Sequence, residues 1–479
     1  MSRRWWGWVL VLVVALAGAP ASAASPDAGR SDAGLADAGR SDAGVRNRPV
    51  DDPYRPIGAR PYLDVLRYRL HLKWDPRTRD FSGRAVIDLR VTRPRSSVVL
   101  DLASWLVVDS ARVAGRRVAV TRPRDRVRVP MGPLDRGAHR RIVLRYHGPL
   151  RSDTLAIDGP DPLTLGVVTD RAGNVGTGSQ PWGSYTWFPV NDRPYDKARY
   201  DVTITARGGL VGVSNGRLVE RRSWGGTTRT RFRPGAPLSS YAAQFAVGDY
   251  TSQTLRGPHG LPIVVWSRPG AQPEKRYLRR APSLLRWVER RLGRYPFGQA
   301  GVVLTPLVTG MEHQSAISMG EGGWPSREVF LATLVHEFVH EWAGNRTTPT
   351  TWPDLFLSEG IATYLEGVWK ARRGITPMRA SVRQWRAADT WVRDRYGTTG
   401  FCGPWKGRRI CGLSGPYTTG ALLMHALHRR YGADFDAALR AWPRTHPGGV
   451  DRAAFVDYVS RRLGPEAGEL VEARLALGS

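Results

Sequence analysis

The sequence predicts a β-rich N-terminal domain of antiparallel, sandwich-like character, followed by an α+β domain rich in helices. Three observations carry this. From Tyr54 to about Tyr250, apolar and polar residues alternate in β-branched runs such as Val65-Leu66-Arg67-Tyr68-Arg69-Leu70-His71-Leu72 and Tyr200-Asp201-Val202-Thr203-Ile204-Thr205-Ala206, the period of a half-buried strand. Beyond Arg268-Pro269-Gly270 the apolar residues fall three and four apart, in segments around 276–292, 326–343, 354–373 and 417–431, the period of a helix with one buried face. Finally, 479 residues of which 41% are hydrophobic can bury more than one core.

In chain order, Arg3 and Arg4 precede an apolar run from Trp5 to about Ala17 that ends in Ala21-Ser22-Ala23. This three-part pattern predicts a secretory signal over residues 1–23 and export to a periplasmic or extracellular space. The run is too short to span a bilayer, so no transmembrane segment is expected. Residues 24–50 repeat Asp-Ala-Gly at Asp27, Asp32, Asp37 and Asp42; with almost nothing apolar to bury, they read as a flexible tether. The β domain is then assigned to 51–251 and the helical domain to 252–479. Cys402 and Cys411, in an oxidising space, are expected to pair as a short-loop disulfide.

The charge balance is strongly basic. Seventy-one Lys+Arg against 42 Asp+Glu give a net charge of +29, which raises nucleic acid or an anionic surface as partners. Only five of these are lysines (Lys73, Lys197, Lys275, Lys370, Lys406) and the arginines are scattered through every segment. No basic stripe or RNA-binding signature forms, so nucleic acid is excluded as a partner, and weak association with an anionic envelope surface is kept.

The chemistry sits in the helix that Ser326 is placed to cap. His336-Glu337-Phe338-Val339-His340 puts two imidazoles four residues apart on one helical face, close enough to share one Zn2+, with Glu337 alongside to take a proton from the attacking water. An exposed helix with ion-paired His and Glu would give the same five letters, so context must decide. Glu359 follows on the next predicted helix, with eighteen residues between it and His340. A carboxylate there completes a His2Glu site with one open position. The alternative third ligand, a His six residues after His340, is ruled out because Arg346 occupies that place and Ala343 stands where a Gly is required.

This pattern resembles the aminopeptidase N family of gluzincin zinc metallopeptidases. His340-Glu341-Trp342-Ala343-Gly344-Asn345 and Trp352-Pro353-Asp354-Leu355-Phe356-Leu357-Ser358-Glu359-Gly360 are similar to the segments around its metal ligands. Pro416-Tyr417-Thr418-Thr419-Gly420 is similar to the segment carrying its catalytic tyrosine, and Thr309-Gly310-Met311-Glu312-His313-Gln314 to its substrate-lining Gly-x-Met-Glu-Asn strand. The resemblance spans roughly Tyr54 to Leu463. It implies a thermolysin-like catalytic domain, one zinc ion on His336, His340 and Glu359, Glu337 as general base and Tyr417 at the oxyanion. Glu312, with Gly310 and Met311 beside it, is implied to bind the substrate's free α-amine. Thr309 and His313 depart from the motif. The loop at Gly178-Ser179-Gln180-Pro181 resembles a β-domain loop that reaches the site, which makes Gln180 a second amine contact. Asp354 and Glu341 are expected to orient the imidazoles. The sequence reads as a short form without the family's large C-terminal helical domain.

The expected activity is therefore removal of N-terminal residues from peptides or proteins with a free N-terminus, with no organic cofactor. Two alternatives remain open from the sequence: a zinc endopeptidase of the same fold, and an exported binding protein whose metal site is idle.

Overall fold

The computed structural model describes Arg60 and residues 62–155, 163–396, 401–405, 408–412 and 414–476. The signal and tether readings lie outside these residues. An eight-stranded sheet dominates the first half, running from edge to edge as Arg217–Trp224, Thr227–Arg233, Arg199–Ala206, Leu63–Asp75, Asp80–Val91, His139–Gly148, Val107–Val113 and Arg116–Val118. Alternation along Leu63–Asp75 sends Leu70, Leu72 and Trp74 inward and His71 and Lys73 outward, as the period of two requires. A five-stranded sheet, ordered Val211–Val213, Ala246–Gly248, Val175–Gly178, Leu163–Thr169 and Ser152–Leu155, shares a core with the first. Trp187, Phe188 and Val190 are fully enclosed there.

One feature departs from the antiparallel expectation. Leu63–Asp75 pairs parallel with Arg199–Ala206, in register from Arg67 opposite Arg199 to Trp74 opposite Ala206. Parallel neighbours need a long crossover, and here the chain between them builds four other strands of the eight-stranded sheet and three of the five-stranded one. Periodicity reveals strands but not which distant strand pairs with which.

The second half opens on a mixed five-stranded sheet: Thr251–Arg256, Pro262–Ser267, Ala300–Thr305, Ile317–Gly320 and, at the edge, Gly310–Met311. Around it pack helices α1 (Gln272–Tyr277), α2 (Ala281–Leu292), α3 (Arg327–His340), α4 (Glu359–Arg372), α5 (Met378–Tyr396), α6 (Ser414–Tyr431), α7 (Ala433–Thr445), α8 (Arg452–Leu463) and α9 (Pro465–Leu475). Ser326 does cap α3: its side chain accepts from the Val329 N–H, a contact worth about 1 kcal/mol. The backbone of Cys402 lies directly opposite that of Cys411 in a hairpin; their side chains lie outside the described residues. No helix among the described residues is long and apolar enough to cross a membrane.

Two cores meet at the seam between the halves. Met311, Trp352 and Leu355 from the second half join the core of the first, and Trp182 and Tyr241 pack edge-on against Trp352, with ring centroids 6.2 and 5.6 Å away. Burying these rings anchors the loop that follows Gly178 against the helical domain.

Candidate active site

α3 and α4 place three ligand atoms together. Nε2 of His336 and Nε2 of His340 each lie 3.2 Å from Oε2 of Glu359, and all three groups offer atoms within 4.8 Å of one another. His336 and His340 share a face because they are one helical turn apart. Glu359 opens α4, which packs against α3, and Gly360 lets α4 approach α6: a Cβ there would stand 2.4 Å from the Cα of Gly420.

The outer nitrogen of His340 is held as a metal ligand requires. His340 Nδ1 donates to the Ala343 carbonyl at 3.0 Å and lies 3.0 Å from the Ser358 hydroxyl, which itself bonds the same carbonyl. This leaves Nε2 as the free lone pair. His336 Nδ1 lies 3.3 Å from Oε2 of Glu366, whose other oxygen accepts from Lys370 Nζ at 3.0 Å.

The expected orienting groups act elsewhere. Asp354 accepts from Thr351 and from the Arg452 N–H, capping the turn Trp352–Leu357 and docking α8. Glu341 accepts from the Ser315 N–H at 2.9 Å and braces the segment around Glu312. Glu366, which the sequence reading missed, carried a signal: it lies seven residues after Glu359, two turns along the same face of α4.

The electrostatics of these side chains show what the site accommodates. Burial disfavours charge on Glu359, but His340 and His336 overcome it and hold its carboxyl well below the usual range. Burial also opposes protonation of His340, yet Glu359 raises it to about 9. Two buried imidazolium charges stabilising one carboxylate are the charge pattern that a divalent cation replaces. Glu337 is pushed up to about 8 by burial, opposed by the imidazoles and reinforced by Glu312 and Glu359. Its Oε2 is buried and accepts no hydrogen bond from the described residues. A His2Glu donor set of this spacing, with a buried carboxyl beside it, fits one zinc ion.

Glu312 and Gln180 flank the triad. Gln180 Nε2 donates to Oε1 of Glu312 at 2.9 Å and to Oε1 of Glu359 at 2.7 Å. Burial raises Glu312 to about 7, with the imidazoles pulling the other way. Tyr417, in the first turn of α6, stacks 6.1 Å from the His336 ring at an interplanar angle of 9°. Burial and the charges of Glu359, Glu312 and Glu337 keep its phenol protonated. Gly310 presses its backbone on Glu337, since a Cβ there would fall 2.2 Å from Oε1. Met311 differs from its neighbours: its side chain is buried in the first domain's core, so only its backbone is available along the sheet edge.

Both departures from the motif have local explanations. Thr309 has no left-handed backbone to demand glycine, and its side chain is half-buried. His313 is fully enclosed, with Nδ1 3.0 Å from the Ser318 hydroxyl and Nε2 3.4 Å from Thr177. Burial drops its pKa to about 3, so it is a neutral bridge.

Residues 65–242 match the Peptidase M1 N-terminal domain and residues 307–397 the Peptidase family M1 domain. The chain belongs to the peptidase M1 family. Its similarity to glutamyl aminopeptidase of Bos taurus is 27% identity over 207 residues, covering 40% of this chain and 21% of that protein. For aminopeptidase N of Mus musculus the figures are 25% over 197 residues, 37% and 20%. The M1 chain thus spans about a fifth of the length of these curated relatives. Crystal structures of an M1 zinc metallopeptidase mutant from Deinococcus radiodurans match along nearly their whole length. The mutant gives a TM-score of 0.72 at 25% identity, covering 88% of this chain and 95% of that one. The same protein bound to a Tyr-Ser-Ala substrate gives 0.72 at 26%. The β-rich domain followed by a helical catalytic domain is therefore the two-domain M1 architecture.

Proposed function

We propose that this M1 chain is an exported zinc aminopeptidase that hydrolyses the N-terminal bond of peptides. The observation that carries the reading is the hydrogen-bonded group Gln180, Glu312 and Glu359, which sets an amine-binding carboxylate beside a metal-ligand triad. An ammonium held by Glu312 and the Gln180 amide oxygen fixes the chain end, so that the first peptide bond is the one presented for cleavage. The Gly310–Met311 strand, at the edge of its sheet, offers backbone groups to an extended peptide. Small free peptides suit this reading, given the tripeptide bound by the Deinococcus protein. Export rests on the pattern of residues 1–23 alone.

Held by His336, His340 and Glu359, a zinc ion supplies a Lewis acid that acidifies water and polarises a carbonyl. Glu337, with one oxygen unengaged and Gly310 clearing space beside it, accepts the proton of the attacking water and returns it to the leaving amine. Tyr417, kept protonated, donates to the oxyanion as it forms. The Ala343 carbonyl holds the His340 imidazole in the tautomer that turns Nε2 inward, and Glu366 sets a carboxylate beside Nδ1 of His336.

The test compares aminoacyl-arylamides and short peptides with their N-acetylated forms, before and after chelation. Cleavage of the free forms only, lost with the metal, is the expected result. Equal cleavage of acetylated peptides would make the chain an endopeptidase, and a zinc-loaded protein inert on every peptide would make it a binding protein.

A further inference from the structure

The active site uses none of the chain's excess arginine, yet one cavity concentrates it. A groove of about 200 Å³ between α2, the start of α3 and the end of α4 is lined by Arg280, Arg290, Arg327 and Arg373 together with Trp287 and Trp369. No Asp or Glu lines it. None of the four guanidinium groups pairs with a carboxylate among the described residues. Several arginines elsewhere are matched: Arg60 with Asp101, Arg231 and Arg233 with Asp201, Arg268 with Asp170 and Glu321.

The walls are built, not merely charged. Trp369 is almost fully buried, and Leu284 and Leu331 complete an apolar floor. Trp287 is half-buried, and the Arg291 guanidinium covers its ring at 3.5 Å. Arg291 is itself lowered to about 10, by burial first and then by Arg372 and Arg290, with Asp436 pulling the other way. Unpaired guanidinium forks match phosphate oxygens in geometry and charge, and flat indole walls meet an aromatic or apolar body.

We propose that this groove is a binding site for a phosphate monoester carried on an apolar or aromatic body. It is separate from the peptidase centre. Arg327 opens α3 whereas His340 closes it, and Arg373 follows α4 whereas Glu359 begins it, so the two sites lie about 20 Å apart along the helices. The inference does not depend on the reaction catalysed at the other end.

Calorimetric titration of the full chain with phenyl phosphate at low ionic strength is expected to give saturable binding of one ligand per chain, tighter than inorganic phosphate and weakened by salt. The double charge reversal R280E/R373E is expected to weaken it by about tenfold or more, as loss of charge-assisted hydrogen bonds does, while arylamide hydrolysis reports that the fold is intact. Should that variant fail to fold, the single change R327Q carries the same expectation. Phosphatidylcholine vesicles carrying phosphatidic acid separate the sources. Vesicle binding that R280E/R373E abolishes, without binding of soluble phenyl phosphate, supports the site and assigns its phosphate to a lipid headgroup. Unsaturable binding, or an affinity for phenyl phosphate and vesicles that the reversed or R327Q protein retains in full, would overturn the proposal.

Discussion

Gln180 and Glu312 are joined by a 2.9 Å hydrogen bond although 132 residues separate them in the chain. The bond crosses from the β domain to the helical domain, and the same amide reaches Glu359. Removing it in Gln180→Ala is expected to raise KM for free-amine peptides about tenfold or more, the cost of one charge-assisted contact, and to change kcat less. Michaelis kinetics with a dipeptide series checks this; an unchanged KM would remove Gln180 from amine recognition.

Gly310 is packed on Glu337 so closely that a methyl group has no room. Gly310→Ala is expected to keep the fold, because the strand lies at a sheet edge, but to push the Glu337 carboxyl from its position. A displacement of this kind costs about 100-fold in rate. Circular dichroism with kcat measurement distinguishes this from unfolding; full activity in the variant would show that Glu337 needs no such placement.

Glu366 lies behind His336 and is in turn held by Lys370. Glu366→Ala is expected to weaken zinc binding about 10- to 100-fold, with Glu366→Gln recovering part of it through the remaining oxygen. Competition with a chromogenic chelator reads the affinity directly. Identical zinc affinity in the wild type and both variants would mean that His336 is oriented by other groups.

His313 gives the chain an acid sensitivity with a definite sign. Its folded pKa, near 3, lies below the unfolded value, so between pH 6.5 and 3 the unfolded chain binds more protons. The stabilisation is complete above pH 6.5 and is lost as pH falls toward 3, by up to about 1.4 kcal/mol per pH unit. His313→Asn is expected to flatten urea-denaturation midpoints over this window relative to wild type. Parallel pH profiles for the two proteins would refute the assignment.

Much of the site was legible because helical geometry is local. A four-residue offset from His336 to His340 guarantees a shared face whatever the surroundings, and the spacing to Glu359 needs only two packed helices. Long-range partners were less accessible. Asp354 and Glu341 lie near the ligands in sequence, yet backbone turns at Thr351 and Ser315 claim their oxygens; Glu366, further along, is the carboxylate beside Nδ1 of His336. In the fold, alternation exposed the strands of the β domain, but the parallel pairing of Arg67 with Arg199 arises from crossover topology that no local pattern encodes. Met311 shows the same limit: its motif position suggested a role at the substrate, whereas its side chain completes an apolar core formed mainly by the other domain.

That parallel pairing bears on how the molecule is born. The strand Leu63–Asp75 acquires its second neighbour only when Ala206 has left the ribosome, so during synthesis its open edge waits through more than a hundred residues. Fragments truncated before that point would expose bare backbone to sticking. Anyone dividing the gene for expression should therefore cut outside this span.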